Sequence, residues 1–157
     1  MNALLKTAVL LLFCSLYLAA CTNLGVFEKD VPLKKQQWPA SYKPSFAFTI
    51  TDTTAAYQIY LVLRHTDAYN FNNIWVKFTR TGPDTSYTQQ ADLTLANNAQ
   101  GWLGTGMDDI WEHRVPITQS PIRFRRSGKY EFTLEQIMRQ DPLLHVLNAG
   151  LRVEKVN

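Results

Sequence analysis

Cysteine is nearly absent from this chain: 157 residues carry two, Cys14 and Cys21. Beyond position 21 there is no thiol, which excludes disulfides, thiolate metal sites and cysteine nucleophiles together. A long apolar run is also missing. The longest, Ala8 to Leu18, spans about 11 residues, short of the roughly 20 needed to cross a hydrocarbon core. Charge of one sign is not in excess, since 16 Lys and Arg face 13 Asp and Glu for a formal net charge of +3. Such a balance makes no electrostatic case for nucleic acid.

Catalytic and metal motifs are missing in the same way. His65, His113 and His145 stand in neither HExxH nor HxH spacing, and read as surface or strand-end residues. Gly101, Gly104 and Gly106 flank Trp102, Leu103 and Thr105, but no lysine and no opening helix follows as a phosphate loop needs. The string reads as a tight crossover between strands, where glycine permits positive φ. Asp108 and Asp109, with Glu112, invite an acid/base or calcium reading. Adjacent carboxylates on a strand point to opposite faces, however, which suits neither. Ser, His and Asp all occur without a G-x-S-x-G elbow. The chain is expected to be no enzyme and to need no metal, cofactor or small-molecule substrate.

What is present begins at the N-terminus. Lys6 supplies a positive flank, the apolar stretch follows, and Leu18-Ala19-Ala20-Cys21 ends it. This is the layout of a bacterial secretory signal, and Leu-Ala-Ala-Cys resembles the lipobox of bacterial lipoproteins, whose cysteine thiol receives a diacylglyceryl group before cleavage. Acyl chains, at about 0.8 kcal/mol per buried methylene, then hold the mature chain at a membrane. Residues 1–20 are therefore expected to be a lipoprotein signal peptide and Cys21 the lipidated N-terminus. Residues 21–44, interrupted by Pro32, Pro39 and Pro44, read as a tether. Leu24, Val26, Phe27, Leu33 and Trp38 are too apolar for a free linker, so partial docking is expected.

From Ser45 the apolar period is two. Phe46, Phe48 and Ile50 alternate with Ala47, Thr49 and Thr51, and Ile74, Val76 and Phe78 with Trp75, Lys77 and Thr79. Tyr130, Phe132 and Leu134 alternate with Glu131, Thr133 and Glu135. Tyr57–Arg64 is almost continuously apolar, as a central strand would be, and Ala149–Val156 supplies a last strand. Turn residues separate the runs, at Asp52–Thr54, Asn70–Asn73, Gly82–Asp84, Asn97–Asn98, Ser127–Gly128 and Asp141–Pro142. Only Gln136–Leu147 has room for a helical turn. Seven or eight such strands predict an all-β fold, a single antiparallel two-sheet sandwich over residues 45–157. Phe48, Ile50, Leu61, Leu63, Ile74, Val76, Phe132, Leu134 and Leu151 are its expected core.

Aromatics are the one class in surplus at loops. Tyr69, Phe71, Trp75, Trp102 and Trp111 cluster around two predicted loops, 69–73 and 102–109. A sandwich core absorbs such residues easily; an aromatic platform for a protein partner or a carbohydrate is the other reading. Tyr69, Phe71, Trp102 and Trp111 are the candidate partner-binding residues, with both loops at one end of the sandwich. Arg123, Arg125 and Arg126 interleave with Phe124 and read first as a solvated strand edge that resists aggregation, and second as a contact for an acidic partner or a lipid headgroup.

Several of these strings, in order, resemble the gliding-motility lipoprotein GldH family of Bacteroidetes. They are Leu18–Cys21, Val26–Glu28, Tyr57–Arg64, Tyr69–Ile74, Trp102–Gly106 with Asp109-Ile110, Phe124–Tyr130, Glu135–Arg139 and Gly150–Glu154, which together cover nearly the whole mature chain. The resemblance implies a non-enzymatic lipoprotein of the envelope machinery tied to gliding and type IX secretion, with other machinery proteins as partners. It carries over no catalytic residue; Cys21 alone transfers, as the lipid (palmitate) attachment site. Lipoproteins displayed on the outside of such cells resemble one another in an acidic cluster after the cysteine. Thr22-Asn23-Leu24-Gly25 has none, so the domain is expected to face the periplasm from the outer membrane.

Overall fold

The computed structural model describes residues 25–84 and 86–156. The leader and Cys21 lie outside the described residues. Thirteen strands and one short 3-10 turn are described. In chain order they are β1 (Val26–Pro32), the 3-10 turn (Lys34–Gln36), β2 (Gln37–Trp38), β3 (Ser45–Ile50), β4 (Ala56–Thr66) and β5 (Asn73–Thr81). There follow β6 (Ser86–Thr94), β7 (Ala96–Asn97), β8 (Gly101–Trp102), β9 (Thr105–Met107) and β10 (Ile110–Pro116). The last three are β11 (Gly128–Gln136), β12 (Leu143–Leu144) and β13 (Val146–Val156).

A five-stranded sheet runs in the order β1-β13-β4-β10-β9, and a four-stranded sheet in the order β3-β11-β5-β6. Every pairing within them is antiparallel. Alternation places one side of each strand inward. Ile59, Leu61 and Leu63 of β4 and Leu151 and Val153 of β13 meet Phe46, Phe48, Ile74, Val76, Phe132 and Leu134 of the other sheet in one core. All nine residues expected in the core are buried there. The all-β two-sheet sandwich is the fold of this protein. Central β4 also buries Gln58 and Val62 on its other face, so both its faces are covered, which is why its sequence reads as a nearly continuous apolar run.

Of the stretch read as a partly docked tether, Val26–Pro32 joins the sheet as a strand. β1 pairs with β13 along its whole length, from Val26 opposite Glu154 to Pro32 opposite Asn148. Leu33 and Trp38 are buried, and Trp38 Nε1 donates to the Tyr42 carbonyl at 2.9 Å. A sandwich counted from residue 45 leaves this edge strand out. The helical turn allowed within Gln136–Leu147 does not form; β12 pairs there with β2 instead. Sequence also passed over β6 and β10. β6 is an edge strand that buries only Leu93 completely, and the one fully buried residue of β10 is a histidine, with Val115 partly buried beside it.

The register defines two ends. At the entry end, Val26 and Val156 lie level with the start of β4, and Gly128 lies opposite Ile50. The far end holds the loops after β4 and β6 and the start of β10.

Candidate functional site

The far end is built on β4 and β10, where Trp111 faces His65 and Leu63 faces His113 across the ladder. His65 and His113 point inward at the last turn of core and are 0% and 2% exposed. Sequence suggested surface or strand-end residues; His65 does stand one residue before the end of β4, but neither is at the surface. Their rings stack with centroids 4.9 Å apart at 16°, and the two Nε2 atoms meet at 2.9 Å. The hydrogen-bond partners assign the protons. His65 Nδ1 lies 2.7 Å from the Thr66 carbonyl, which can only accept. A neutral His65 therefore presents a bare Nε2, and His113 donates its Nε2–H to it. Burial lowers both imidazoles from their ordinary range, that of His113 to about 4, with the neighbouring His65 charge as the second cause. A proton added to His65 would sit on Nε2 and point N–H at N–H, and one added to His113 would go to Nδ1 and leave a charge buried there, so both rings stay neutral near pH 7.

Aromatic side chains close over this pair. Trp102 meets His65 edge-on at 4.4 Å between centroids, and Tyr69 lies 5.0 Å from the same ring. Tyr69 also contacts Phe71 at 5.7 Å and Trp102 at 6.2 Å. The backbone stitches the loops together: Leu95 N–H donates to the Asn72 carbonyl, and Asp67 N–H to that of Asp109, each at 2.8 Å. The loops around 69–73 and 102–109 thus share one end, and three of the four aromatics named from sequence form one cluster.

Their exposure differs. Tyr69 is 4% exposed, its phenol pushed up by burial and its hydroxyl donating to the Asn73 carbonyl at 3.0 Å. Phe71 and Trp102 are half-buried and pack against the core. Trp111 is half-buried and covers Gly106, where an added Cβ would lie 2.8 Å from its ring. Gly104 is there for the same reason of space, since a Cβ would lie 2.4 Å from the Glu112 carbonyl oxygen. Of the three glycines in this stretch only Gly101 has positive φ, at 69°. Asp108 and Asp109 are the exposed turn between β9 and β10. Among the large apolar side chains of the far end, Trp75 near the start of β5 is 41% exposed, Leu103 45% and Met107 70%; sequence reasoning named Trp75 among the loop aromatics and singled out neither of the others. Two apolar side chains beside turn-forming Gly and Asp were the available signal.

The model of the family described as GldH lipoprotein matches residues 25–153. This chain belongs to the GldH lipoprotein family. The match runs from the residue before β1 into β13, so it takes in both sheets. The "Gliding motility lipoprotein GldH homolog" of Christiangramia forsetii is 24% identical over 155 residues, covering 92% of each chain. The "Gliding motility lipoprotein GldH" of Flavobacterium johnsoniae is 23% identical over 159 residues, covering 96% of this chain and 98% of the relative. Among solved structures, the infectious bursal disease virus VP2 subviral particle aligns at a TM-score of 0.31 and 17% identity, over 83% of this chain and 30% of that one. So loose a likeness carries no argument. GldH membership makes this a gliding-motility-associated lipoprotein of the cell envelope, from a family not known for enzymes. Among the described residues no three His, Cys, Asp or Glu side chains group as metal ligands, and the buried histidines of this GldH-family chain satisfy one another.

Proposed function

We propose that this chain is a non-enzymatic assembly or scaffold component of the gliding-motility and type IX secretion machinery. In this reading it is held at the outer membrane through a lipidated Cys21 and faces the periplasm. The observation that carries it is the far end, where Leu103 and Met107 stand in solvent beside a rigid base of Trp102, Tyr69 and the histidine pair. Exposed apolar side chains on a stiff support favour a protein partner, because little ordering entropy is lost on contact. The far end is also presented outward. β4 has 11 residues, so the sandwich separates its two ends by about 35 Å, and the chain arrives from Cys21 at the entry end.

The second reading, a carbohydrate-capturing envelope lipoprotein, needs flat aromatic faces open to a sugar. Tyr69 is inside and Trp102 is engaged with His65, which leaves Trp111 as the remaining member of its proposed platform. The machinery reading is better supported.

Leu103→Asp with Met107→Asp tests it, since both side chains are exposed and neither is needed for the core. The expected result is a folded, lipidated protein that no longer co-isolates with secretion or gliding components after crosslinking in native membranes. Unchanged co-isolation and unchanged secretion would remove the far end as the partner face. Lipidation is tested apart from this: Cys21→Ala should block processing, and a mature N-terminus at another residue, seen by mass spectrometry, would refute it.

A further inference from the structure

Four arginines gather at the entry end. Arg80 comes from the end of β5, and Arg123, Arg125 and Arg126 come from the irregular run between β10 and β11. With Asp84 they line a cleft of about 600 Å³, four guanidinium groups against one carboxylate. Arg80 is held in place, its Cζ 5.8 Å from the Tyr87 ring centroid and 5.6 Å from that of Phe124, and its buried Nε has no hydrogen-bond partner. Arg125 and Arg126 are exposed, and among the described residues neither is joined to an acid. On the outer face of the five-stranded sheet the pattern is the opposite, for Arg114 and Arg152 both close on Glu28 at 2.7 Å. A neighbouring cleft of about 560 Å³ shares Arg80 and Arg123 and has Phe78 and Phe132 in its lining. Four forked cationic donors against one carboxylate match the phosphate of a phospholipid.

The arginines also lie where the chain enters. Lys155 N–H donates to the Gly25 carbonyl, and Lys155 Nζ to Asp52. Asp52 in turn accepts from Thr54, whose carbonyl accepts from Arg123. Cys21 precedes Gly25 by four positions, at most about 14 Å of extended chain. A lipid on Cys21 therefore brings this end of the sandwich to the headgroup layer.

We propose that Arg80, Arg123, Arg125 and Arg126 form a binding site for the phosphate of anionic lipid headgroups, so that the domain stands on its membrane entry end down. The proposal rests on the lipidation of Cys21 put forward above. It makes the arginine end a second attachment that fixes orientation, which a flexible acyl anchor alone does not do.

The test uses the lipidated full chain purified from membranes, with mass spectrometry of its N-terminus first. Absence of acyl groups overturns both the lipoprotein reading and this site; their presence leaves the site to be judged alone. The protein is reconstituted in phosphatidylcholine vesicles carrying a headgroup nitroxide, with or without about 30 mol% phosphatidylglycerol. A fluorophore is placed at the entry end through Ser127→Cys or at the far end through Asn98→Cys, both exposed positions. Quenching of the first and not the second is expected in the anionic vesicles. Adding Arg125→Gln and Arg126→Gln, two exposed changes whose fold is checked by melting in the same vesicles, should shift the docked-to-detached ratio by roughly 30-fold toward detached. Equal quenching at Ser127 with and without phosphatidylglycerol, an unchanged double variant, or quenching at Asn98 instead, would each overturn the site while lipidation stands.

Discussion

At the residue scale, the proton shared by His65 and His113 sets a pH limit. The folded pKa of His113, about 4, lies below the ordinary value of 6.5, and that of His65 is lowered too. The unfolded chain thus binds more protons below pH 6.5, and stability is full above that value. As pH falls from 6.5 toward 4, stability should drop by on the order of 3 kcal/mol, following the size of the His113 shift. Urea titrations at pH 7 and pH 4.5 measure this, and a His113→Leu variant should flatten the dependence. An equal loss in both proteins would assign the effect to other groups. The neighbouring aromatics are structural as well as candidate contacts. Phe71→Ser with Trp102→Ser removes two side chains that pack on the core and should cost about 3–5 kcal/mol, read as a lower thermal midpoint. A double variant as stable as the parent would mean that these rings serve only what lies outside.

At the scale of elements, β1 is the instructive one. It is an edge strand, and it keeps its place through the ladder with β13, the Phe27–Phe48 contact at 5.4 Å and the Glu28 pairs. Close approach at Gly150 is what lets it in. A Cβ there would lie 2.5 Å from Asp30 Cβ and 2.6 Å from the Lys29 carbonyl oxygen, and backbone does not yield as a flexible side chain does. Gly150→Ala should therefore push β1 outward and destabilise by about 1–3 kcal/mol, seen as faster amide exchange in residues 26–32. Unchanged exchange would show that the sheet relaxes elsewhere. The arginines beside Glu28 hold its carboxyl down to about 2, Arg114 being the largest cause, burial opposing it and Arg152 adding to it. With the folded pKa depressed from 4.5, this help is full above pH 4.5 and is lost as pH falls toward 2. Because the pairs are partly exposed, Glu28→Gln should cost only about 1 kcal/mol or less at pH 7.

For the whole molecule, the pairing of β1 with β13 joins the two extremes of the described residues, and β4 sits between strands far from it in sequence. Folding has to close these long loops before their contacts form, so refolding on the millisecond-to-second scale is expected, measurable by stopped-flow tryptophan fluorescence. Microsecond refolding would contradict this topology. Leu61, at the middle of the central strand and 0% exposed, should be among the costliest truncations, with Leu61→Ala losing about 2–5 kcal/mol. Two ends of opposite chemistry also emerge at this scale, arginines where the chain enters and apolar loops about a strand's length away.

Local order was readable from residues alone wherever side-chain identity decides it. Alternation at Phe46–Ile50, Ile74–Phe78 and Tyr130–Leu134 dictates one buried face, and Asn, Gly and Pro mark the turns between. The family resemblance was legible in the same strings. The candidate site was legible in part: loops rich in both aromatics and turn formers were seen to belong together, but not which rings turn inward. Tertiary structure decided the rest, because burial depends on what the other sheet supplies. β1 carries three charged residues in seven and becomes a strand only when β13 offers it a free edge. His65 and His113 lie 48 positions apart, and nothing in either neighbourhood announces the other. Arg80 and Arg123–Arg126 likewise meet only because β5 and the run before β11 end on the same side. A sequence states which side chains prefer to leave water; the register of distant strands states which of them meet.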